Sequence, residues 1–367
     1  MTARATGLPV VGMVGAGQLA RMTHQAAISL GLTLRVLADH PDDGAALVTP
    51  EVELGAASDA ESVARFAKSC DVVTFDHEHV PNELVAALTA AGVAVRPGAD
   101  ALRYAQDKHA MRTRLGELGI PIPRWSADPG ALPRPYMAKA VRGGYDGRGV
   151  WVVNEGDPLP PGELIVEEKV TIVHELAVQV ARTPSGQTRC WPVVETVQED
   201  GICVEVLAPA PRLSHALTAE AQSLAVRIAE ELDVVGVLAV ELFEAPDGLL
   251  VNELAMRPHN SGHWSIEGAT TSQFEQHLRA VLDWPLGDTR TRAPFTVMAN
   301  LLGGSSTDLA STLPAALAAV PNCSVHLYGK AARPGRKLGH VTALGDDLEE
   351  TRERARAAVR VLRGQVA

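Results

Sequence analysis

The sequence predicts an α/β protein of two or three domains, with a parallel sheet in its amino-terminal third. Short apolar runs alternate there with segments of helical spacing, which is the pattern of strand–helix–strand units with right-handed crossovers. The 367 residues are enough for more than one hydrophobic core. In order, the elements predicted in this third are a strand at 10–14, a helix ending at 31, a strand at 32–38, a helix at 60–68, a strand at 72–75, a helix at 83–91 and a strand at 93–95.

A glycine-rich loop connects the first predicted strand with the first predicted helix. Its residues 15–20, GAGQLA, fit the GxGxxA pattern of dinucleotide-binding proteins, and Asp39 follows the second strand as the ribose-binding acid of such proteins does. This pattern favours a nicotinamide-dependent oxidoreductase as one hypothesis. The alternative is a tight turn without a ligand, since any such turn favours glycine. No later segment resembles a hydride-transfer site.

An acid-rich loop follows the strand at 72–75. It contains Asp76, His77, Glu78 and His79. Ligands of open α/β sheets bind at the carboxyl ends of strands, which makes these acids candidate ligand-binding residues. Acids at the start of a helix are also favourable against the helix dipole, and the local sequence leaves both interpretations open.

A second glycine-rich loop lies in the middle of the chain, between two predicted strands. A helix predicted at 102–118 carries Arg103, a strand at 136–140 carries Lys139, and another strand follows at 150–153. The loop between the strands reads RGGYDGRG, whereas a Walker loop joins a strand to a helix and ends in GK[ST]. Its backbone N–H groups can close on phosphate oxygens, with Lys139 as a point charge. A plain hairpin turn does not need this many glycines, so we interpret the loop as a phosphate cover.

Two acids end the next apolar run, at 164–167. Glu167 and Glu168 precede a short polar stretch, and Glu175 then leads into a strand at 176–181. Backbone groups of a hinge between two domains can hydrogen-bond the edge of a purine, and a nearby acid can bind ribose hydroxyls. This hinge is therefore a candidate site for a nucleotide base.

The segment 248–264, GLLVNELAMRPHNSGHW, passes directly from an apolar strand into a dense polar cluster. An apolar run containing Glu241 lies upstream of a Pro-Asp-Gly turn, which predicts a β-hairpin. An odd-length loop would place Glu241 opposite Glu253, with their Cβ atoms about 5 Å apart. Carboxylates this close need a proton or a cation between them, and oxygen ligands suit Mg²⁺. The alternative is one solvated acid and one salt bridge, but the neighbours Asn252 and Arg257 favour the metal.

The charge balance limits the classes of partner. A formal net charge of -11 argues against nucleic acid or an anionic membrane as the main partner. An anionic substrate would need its own basic pocket, and Lys330, Arg333, Arg336, Lys337 and His340 supply a candidate near the end of the chain. The alternative is an exposed basic turn.

The remaining features are those of an ordinary intracellular protein. The 4 cysteines show no CxxC or metal-ligand spacing and are expected to be reduced. The sequence shows no signal peptide and no long apolar span, so we expect a cytoplasmic protein. A final helix is predicted at 348–362, with apolar residues at helical spacing.

Taken together, these motifs resemble the ATP-grasp superfamily over essentially the whole chain, and most closely its N5-carboxyaminoimidazole ribonucleotide synthetase family. The resemblance rests on GAGQLARM, GGYDGRG, NELAMRPHNSGHW and YGKAARPGRKLGH, in this order. It implies an α/β ATP-grasp fold with an amino-terminal parallel α/β (pre-ATP-grasp) domain at 1–106 and a small carboxy-terminal domain at 295–367. The central ATP-grasp domain would span 107–294, with a lid subdomain at about 125–185. The resemblance also implies a homodimer.

The family uses ATP, Mg²⁺ and bicarbonate to carboxylate the exocyclic amine of 5-aminoimidazole ribonucleotide, through carboxyphosphate, in purine (IMP) biosynthesis. The implied catalytic residues are Lys139, Arg257, His259, Asn260 and Ser261. The implied ATP-binding residues are Arg103, Lys139, Gly144, Tyr145, Asp146, Gly147, Arg148, Gly149, Val150, Glu167, Glu168, Lys169, Val170, Glu175, Gln198, Asn252 and Glu253. The implied ribonucleotide-binding residues are Asp76, Glu78, Tyr145, Arg148, Lys330 and Arg336, and the implied metal ligands are Glu241 and Glu253.

The sequence departs from the family pattern at three positions. The family commonly has two glutamates where this chain has Asp76 and Glu78, a histidine at the position of Gln198 and a proline at that of Met256. Other hypotheses within the superfamily are a different carboxylate–amine ligase and a formate-using transformylase, which would differ at HNSGHW and in the basic segment. A nucleotide-binding protein without catalysis is a further alternative, which retention of Glu241, Asn252 and Glu253 argues against.

Overall fold

The computed structural model describes residues 7–144, 148–304 and 308–365. The amino-terminal third contains β1 (Val10–Val14), α1 (Gln18–Ser29), β2 (Thr33–Ala38), β3 (Val52–Leu54), α2 (Ala60–Ala67), β4 (Val72–Phe75), α3 (Asn82–Ala90) and α4 (Ala99–Gln106). The middle contains α5 (Lys108–Glu117), β5 (Trp125–Ser126), β6 (Tyr136–Ala140), β7 (Val150–Val153), β8 (Leu164–Glu168), β9 (His174–Arg182), β10 (Thr188–Cys190), β11 (Val194–Glu199), β12 (Ile202–Ala208), α6 (His215–Glu231), β13 (Gly236–Ala245), β14 (Gly248–Ala255), a 3₁₀ turn (Asn260–Gly262), α7 (Ser265–Gly268) and α8 (Gln273–Val281). The last part contains β15 (Phe295–Leu302), α9 (Leu309–Ala319), β16 (Cys323–Leu327), β17 (Lys337–Gly345) and α10 (Leu348–Leu362).

The amino-terminal third forms the predicted parallel sheet. Its strand order is β3-β2-β1-β4, and every neighbouring pair is parallel. All residues of β1 and β4 are buried, as expected for central strands covered on both faces. The carboxyl ends of β1 and β4 therefore lie side by side, and the glycine-rich loop and the acid-rich loop start at this edge.

Two elements differ from the sequence prediction. The helix predicted at 102–118 is two helices, because Asp107 adopts an extended conformation between them and its Oδ1 accepts a hydrogen bond from the Ala110 N–H at 2.9 Å, which caps α5. The strand predicted at 93–95 is reduced to one bridge between Val95 and Val73. Pro97 follows two residues later and has no N–H to extend a ladder.

The rest of the chain forms two further sheets. A large antiparallel sheet has the order β14-β13-β9-β11-β12-β15-β17-β16, and β10 adds to β9. A smaller antiparallel sheet has the order β5-β8-β6-β7 and carries the second glycine-rich loop between β6 and β7. Because β12 pairs with β15, the carboxy-terminal segment is part of the same sheet as the β13–β14 hairpin. In the described ranges, no helix combines the length and apolarity needed to cross a membrane.

A buried histidine joins the amino-terminal sheet to the large sheet. His277 on α8 has its Nε2 2.8 Å from the Thr74 Oγ1 on β4, and its Nδ1 accepts a hydrogen bond from the Val237 N–H on β13 at 3.1 Å. Burial lowers the pKa of His277 to about 3, so the ring is neutral. Its two ring nitrogens therefore fix the position of one sheet relative to the other.

An ion-pair cluster holds the last helix on the large sheet. Glu205 on β12 is 5% exposed, and it accepts a hydrogen bond from Arg352 Nε at 2.7 Å and another from Arg356 Nη2 at 3.0 Å, both on α10. A buried carboxylate without its cations would be strongly unfavourable. The helix therefore depends on this residue for its attachment.

We predict that Glu205→Gln lowers the free energy of unfolding by roughly 3 kcal/mol, because it removes the buried carboxylate that Arg352 and Arg356 share. The matched control is Glu353→Gln, since Glu353 pairs with Arg360 on the same helix but its side chain is 61% exposed. That change should cost much less stability, because an exposed ion pair is screened by solvent. Urea denaturation followed by circular dichroism measures both values, and equal losses in the two variants would contradict the prediction.

Candidate active site

The centre of the site is the predicted pair of carboxylates. Glu241 on β13 and Glu253 on β14 are direct partners in the antiparallel ladder, so the predicted juxtaposition is confirmed. The predicted odd-length loop is wrong, because the two-residue turn Pro246-Asp247 pairs Ala245 with Gly248. The register shifts between Glu241 and Leu242, whose partner is Val251.

The register shift is a β-bulge that leaves Asn252 as the additional residue. An uninterrupted ladder from the turn would pair Glu241 with Asn252, and Glu253 would then lie one position further along. The bulge places both Asn252 and Glu253 opposite Glu241. Bulges beside functional sites commonly redirect side chains in this way. Asn252 Nδ2 lies 3.4 Å from Glu241 Oε2, and its Oδ1 accepts a hydrogen bond from Lys139 Nζ at 2.9 Å.

The opposed carboxylates destabilise each other's charge. Burial, followed by the charges of Glu253 and Glu175, raises the pKa of Glu241 to about 7. The Glu241 side chain is still 34% exposed, so the group is reachable from solvent. Burial also raises the pKa of Glu175, which lies on the adjacent strand β9. The hairpin thus presents oxygen ligands that favour a cation.

Three cations from neighbouring elements surround these acids. Lys108 on α5 forms a salt bridge with Glu253 at 2.7 Å. Lys139 on β6 forms one with Glu167 on β8, also at 2.7 Å. Arg112 on α5 donates to the other oxygen of Glu167 at 2.7 Å and to the backbone carbonyl of Asn252 at 2.8 Å.

Lys139, Glu167 and Arg112 form a buried cluster in which charge and burial oppose each other. Burial lowers the pKa of Lys139 and the charge of Glu167 opposes that effect, while Arg112 and Lys139 hold the pKa of Glu167 below its ordinary value against the effect of burial. Sequence reasoning gave no role to Lys108 and Arg112. The signal for them was their spacing of four residues on one helix, which places both on the same inward face.

Arg257 and His259 lie next to the carboxylate pair. Arg257 Nε donates to Glu78 Oε2 at 2.7 Å, so the polar segment of the middle domain contacts the acid-rich loop of the amino-terminal third. Burial disfavours the charge of Arg257, but Glu78 outweighs burial and raises the pKa of the guanidinium. His259 Nε2 lies 3.6 Å from Glu241 Oε1. Burial and the charge of Arg257 lower the pKa of His259 to about 3, so its imidazole is neutral.

Two groups in this region have unused hydrogen-bonding capacity. Asn260 is buried, and neither its Nδ2 nor its Oδ1 has a hydrogen-bond partner among the described residues. Glu78 Oε1 is also without a partner in the part of the chain that the structure describes. Leaving a buried polar atom without a partner costs free energy, so these atoms are candidates for contact with a ligand or with water.

The amino-terminal edge is closed by the protein's own groups. Asp76 Oδ2 accepts a hydrogen bond from the Gly17 N–H at 2.5 Å, at the start of α1. A dinucleotide would need its pyrophosphate at that helix start, so this geometry argues against the nicotinamide hypothesis. Lys330 from the carboxy-terminal segment donates to Gln18 Oε1 at 2.7 Å. The positive charges of Arg257 and Lys330 both act on Asp76, whose pKa burial raises.

The remaining predicted residues are distributed around this centre. Arg103 stacks on Tyr104 at 4.8 Å and lines a separate open cleft of about 550 Å³ between α4, α5 and the end of α6. Arg336 is half-buried and donates to the Ala331 carbonyl at 3.2 Å. Tyr145, Asp146 and Gly147 lie outside the described residues. Of the others, Glu168 pairs with Arg124, Gln198 contacts Thr196, Arg148 and Lys169 are exposed, and Gly144, Gly149, Val150 and Val170 are half-buried.

Comparisons with known proteins agree across the whole chain. Residues 8–106 match the ribonucleotide synthetase preATP-grasp domain, residues 123–274 match the ATP-grasp domain, and residues 296–354 match the phosphoribosylaminoimidazole carboxylase C-terminal domain. The N5-carboxyaminoimidazole ribonucleotide synthase of Mycobacterium tuberculosis is 55% identical over 372 residues, which covers 95% of this chain and 87% of that protein.

Solved structures show the same three-domain ATP-grasp architecture. The carboxyaminoimidazole ribonucleotide synthase of Aspergillus clavatus complexed with ATP is 35% identical with a TM-score of 0.89, and the match covers 97% of this chain and 98% of that one. The same enzyme in complex with ADP and 5-aminoimidazole ribonucleotide is 34% identical with a TM-score of 0.88, at the same coverage of 97% and 98%. The chain therefore belongs to the N5-carboxyaminoimidazole ribonucleotide synthase family of ATP-grasp ligases.

Proposed function

We propose that this chain is an ATP-dependent ligase that carboxylates the exocyclic amine of 5-aminoimidazole ribonucleotide with bicarbonate, through carboxyphosphate, in purine (IMP) biosynthesis. ADP and phosphate are the other products. The observation that carries the proposal is the opposed pair Glu241 and Glu253 beside Arg257 and His259. This arrangement combines a place for a metal-bound nucleotide with a cationic place for a small carboxylate. Bicarbonate needs both, because it becomes a good electrophile only when one of its oxygens is phosphorylated.

The donor set of the hairpin fits Mg²⁺. Glu241 and Glu253 supply carboxylate oxygens, and the proposal is supported by the charges of Glu253 and Glu175, which together with burial raise the pKa of Glu241 and which a cation would offset. No group of three or more His, Cys, Asp or Glu side chains forms a ready metal site in the described ranges, so nucleotide oxygens or water would complete the coordination. When bound, Mg²⁺ neutralises charge on the β and γ phosphates during transfer.

Several residues would bind ATP around this hairpin. Lys139 lies 2.9 Å from Asn252 and would contact phosphates, while the loop 144–150 would cover them and exclude water. The carboxylate of Glu167 is occupied by Lys139 and Arg112, so residues 167–170 would contact adenine through their backbone. Further nucleotide contacts are proposed for Arg103 and Gln198, with Glu175 on the ribose.

Bicarbonate and then carboxyphosphate would lie beside Arg257. Its planar guanidinium suits a carboxylate, and its present partner Glu78 keeps it charged. Asn260, which has buried and unused polar atoms, would hydrogen-bond the anion together with His259 and Ser261. These groups would hold the intermediate while the amine attacks its carboxyl carbon, or carbon dioxide released beside it.

The ribonucleotide would lie between the amino-terminal and carboxy-terminal segments. Its phosphate would bind Lys330 and Arg336, with Arg148 and Tyr145 from the lid loop. Asp76 and Glu78 would face the imidazole and its amine. Oε1 of Glu78, which has no hydrogen-bond partner within the described ranges, would be the atom that meets the amine. We further propose a cytoplasmic homodimer, as the family resemblance implies.

The proposed function predicts ADP release that requires both bicarbonate and 5-aminoimidazole ribonucleotide. Purified protein with Mg²⁺ and ATP is assayed with each substrate present or omitted, and labelled bicarbonate is followed into an acid-labile product. Label in the product with one ADP per carboxylation supports the proposal. ATP hydrolysis or binding without ribonucleotide-dependent turnover would contradict the substrate assignment and leave the fold unaffected.

We predict that Arg257→Ala abolishes carboxylation and changes ATP affinity by no more than a few-fold, because Arg257 is placed on the carboxylate side of the site. The matched control is Arg182→Ala, since Arg182 has a similarly covered side chain (15% exposed, against 22% for Arg257) and pairs with Asp233 on another face. Isothermal titration gives the ATP affinity and label incorporation gives the rate. Carboxylation that survives the change would refute the role of Arg257.

Metal affinity should depend on pH through Glu241. The pKa of Glu241 in the folded protein, about 7, lies above its ordinary value of 4.5. The free energy of unfolding therefore falls as the pH rises from 4.5 to 7, because Glu241 must ionise in the folded protein. A bound cation would offset this loss. Below pH 7 a proton competes with Mg²⁺, so the affinity for Mg²⁺ with a non-hydrolysable ATP analogue should fall about tenfold per pH unit and level off above pH 7.

Titration calorimetry between pH 5.5 and 8.5, in steps of about half a unit, measures this slope. Glu241→Gln should weaken binding and abolish the slope. The control is Glu244→Gln on the same strand, since the Glu244 carboxylate lies 2.8 Å from His174 Nδ1 and has no role in the proposed metal site. This variant should retain the pH dependence of Mg²⁺ affinity. An unchanged slope in Glu241→Gln would assign the proton to another group.

A further inference from the structure

Two fully buried glutamines, neither of which is given a role above, converge on the segment of His259. Gln273 on α8 is 0% exposed and Gln179 on β9 is 1% exposed. Burying an amide is unfavourable unless its hydrogen bonds are made, so the partners of these two side chains define why they are there. All the partners shown for the two side-chain amides lie within the 259–263 segment.

Gln273 holds the backbone of His259 at both of its polar groups. Its Oε1 accepts a hydrogen bond from the His259 N–H at 2.9 Å, and its Nε2 donates to the His259 carbonyl at 2.8 Å. A backbone N–H only donates and a carbonyl only accepts, so the orientation of the amide is unambiguous. Its Nε2 also lies 3.0 Å from His263 Nδ1, to which it donates. A Cβ at Gly262 would lie 2.3 Å from Gln273 Oε1, which is too close for any side chain. Glycine at this position therefore lets the backbone of the turn pack against the Gln273 amide.

Gln179 acts on the imidazole ring of His259 through Ser261. Its Nε2 donates to Ser261 Oγ at 2.6 Å, and Ser261 Oγ lies 2.8 Å from His259 Nδ1. The backbone N–H of Ser261 also donates to Nδ1, at 3.4 Å. Because Gln179 Nε2 only donates, Ser261 Oγ accepts from it and its own proton is left to point at Nδ1, and the Ser261 N–H cannot accept either. Nδ1 therefore carries the lone pair, and the proton of the neutral ring is on Nε2. Nε2 is the atom that faces Glu241 Oε1 at 3.6 Å.

We propose that Gln273 and Gln179 are positioning residues for the carboxylation: Gln273 fixes the backbone of His259, and Gln179 fixes its ring as the tautomer whose Nε2–H faces Glu241 and the bicarbonate site. This inference rests on the function proposed above. A fixed N–H donor at this place serves an oxygen of bicarbonate and then of carboxyphosphate. The opposite tautomer would present a lone pair to the same anion.

The chain provides a matched control for Gln273. Gln276 lies three residues further along α8 and is also 0% exposed. Its amide makes the same pair of bonds to another backbone position, donating to the Gly287 carbonyl at 2.9 Å and accepting from the Gly287 N–H at 2.8 Å. Gln273→Met and Gln276→Met therefore remove equivalent backbone bonds from one helix, and only the former touches the proposed site.

The experiment compares Gln273→Met, Gln179→Met and Gln276→Met with the wild type. Steady-state assays give kcat, KM and the ADP formed per carboxylated product. We expect kcat to fall about 100-fold in Gln273→Met and Gln179→Met with little change in KM for ATP, since a displaced donor affects the reacting groups most. ADP per product should rise above one, because a poorly held intermediate is lost to water. Gln276→Met should lose thermal stability and keep both wild-type values.

A second readout does not depend on turnover. Long-range ¹H–¹⁵N spectra of histidine-labelled, ligand-free enzyme report the tautomer of His259, whose signal is assigned by its loss in His259→Asn. The wild type and Gln276→Met should show the Nε2–H form, and Gln179→Met should show a mixture of the two tautomers. An Nδ1–H form in the wild type would overturn the inference. So would the wild-type tautomer together with the wild-type ratio of ADP to carboxylated product in both Gln273→Met and Gln179→Met. A wild type with the Nε2–H form but without carboxylation would instead refute the proposed function.

Discussion

The site is arranged around the repulsion between two opposed carboxylates. Glu241 and Glu253 are forced opposite each other by the hairpin register, and the pKa of Glu241 rises to about 7 as a result of burial and of this neighbour. A fold without a ligand at this place would gain by separating the two acids. The bulge at Asn252 does the reverse, since an uninterrupted ladder would have moved Glu253 one position away. The strand irregularity is therefore best explained by the requirements of the site.

The cations around the hairpin are each held by a carboxylate. Glu167 lies between Lys139 and Arg112 and pairs with both. Its charge opposes the lowering of the Lys139 pKa by burial. Lys108 pairs with Glu253 at 2.7 Å. Basic side chains are thus held beside the acids of the site, although the chain as a whole carries a formal net charge of -11.

The sequence predicts what is local and misses what is long-range. The strands Val72–Phe75, Tyr136–Ala140 and Val150–Val153 have the predicted bounds, because apolar runs there end at polar or glycine-rich loops. Asp107 was missed as a helix boundary because both flanking segments have good helical spacing and only its cap geometry separates them. The acid pair was found from symmetry about a turn, although the bulge that creates it left no signal in the pattern.

The two glutamines are part of the proposed site although they lie outside its sequence motif, HNSGHW. Gln273 contacts a backbone 14 residues away, and Gln179 acts from a strand 82 residues before Ser261. Neither spacing is a recognisable motif, and a buried amide in a helix or strand looks like an ordinary polar residue until its partners are known. The backbone N–H of Ser261 that points at His259 Nδ1 belongs to the motif HNSGHW, whereas Gln179, which donates to Ser261 Oγ, lies outside it. Transferring the motif alone to another scaffold would therefore transfer the side chains without the two amides that hold them, and the Ser261 hydroxyl would lose the hydrogen bond that orients it.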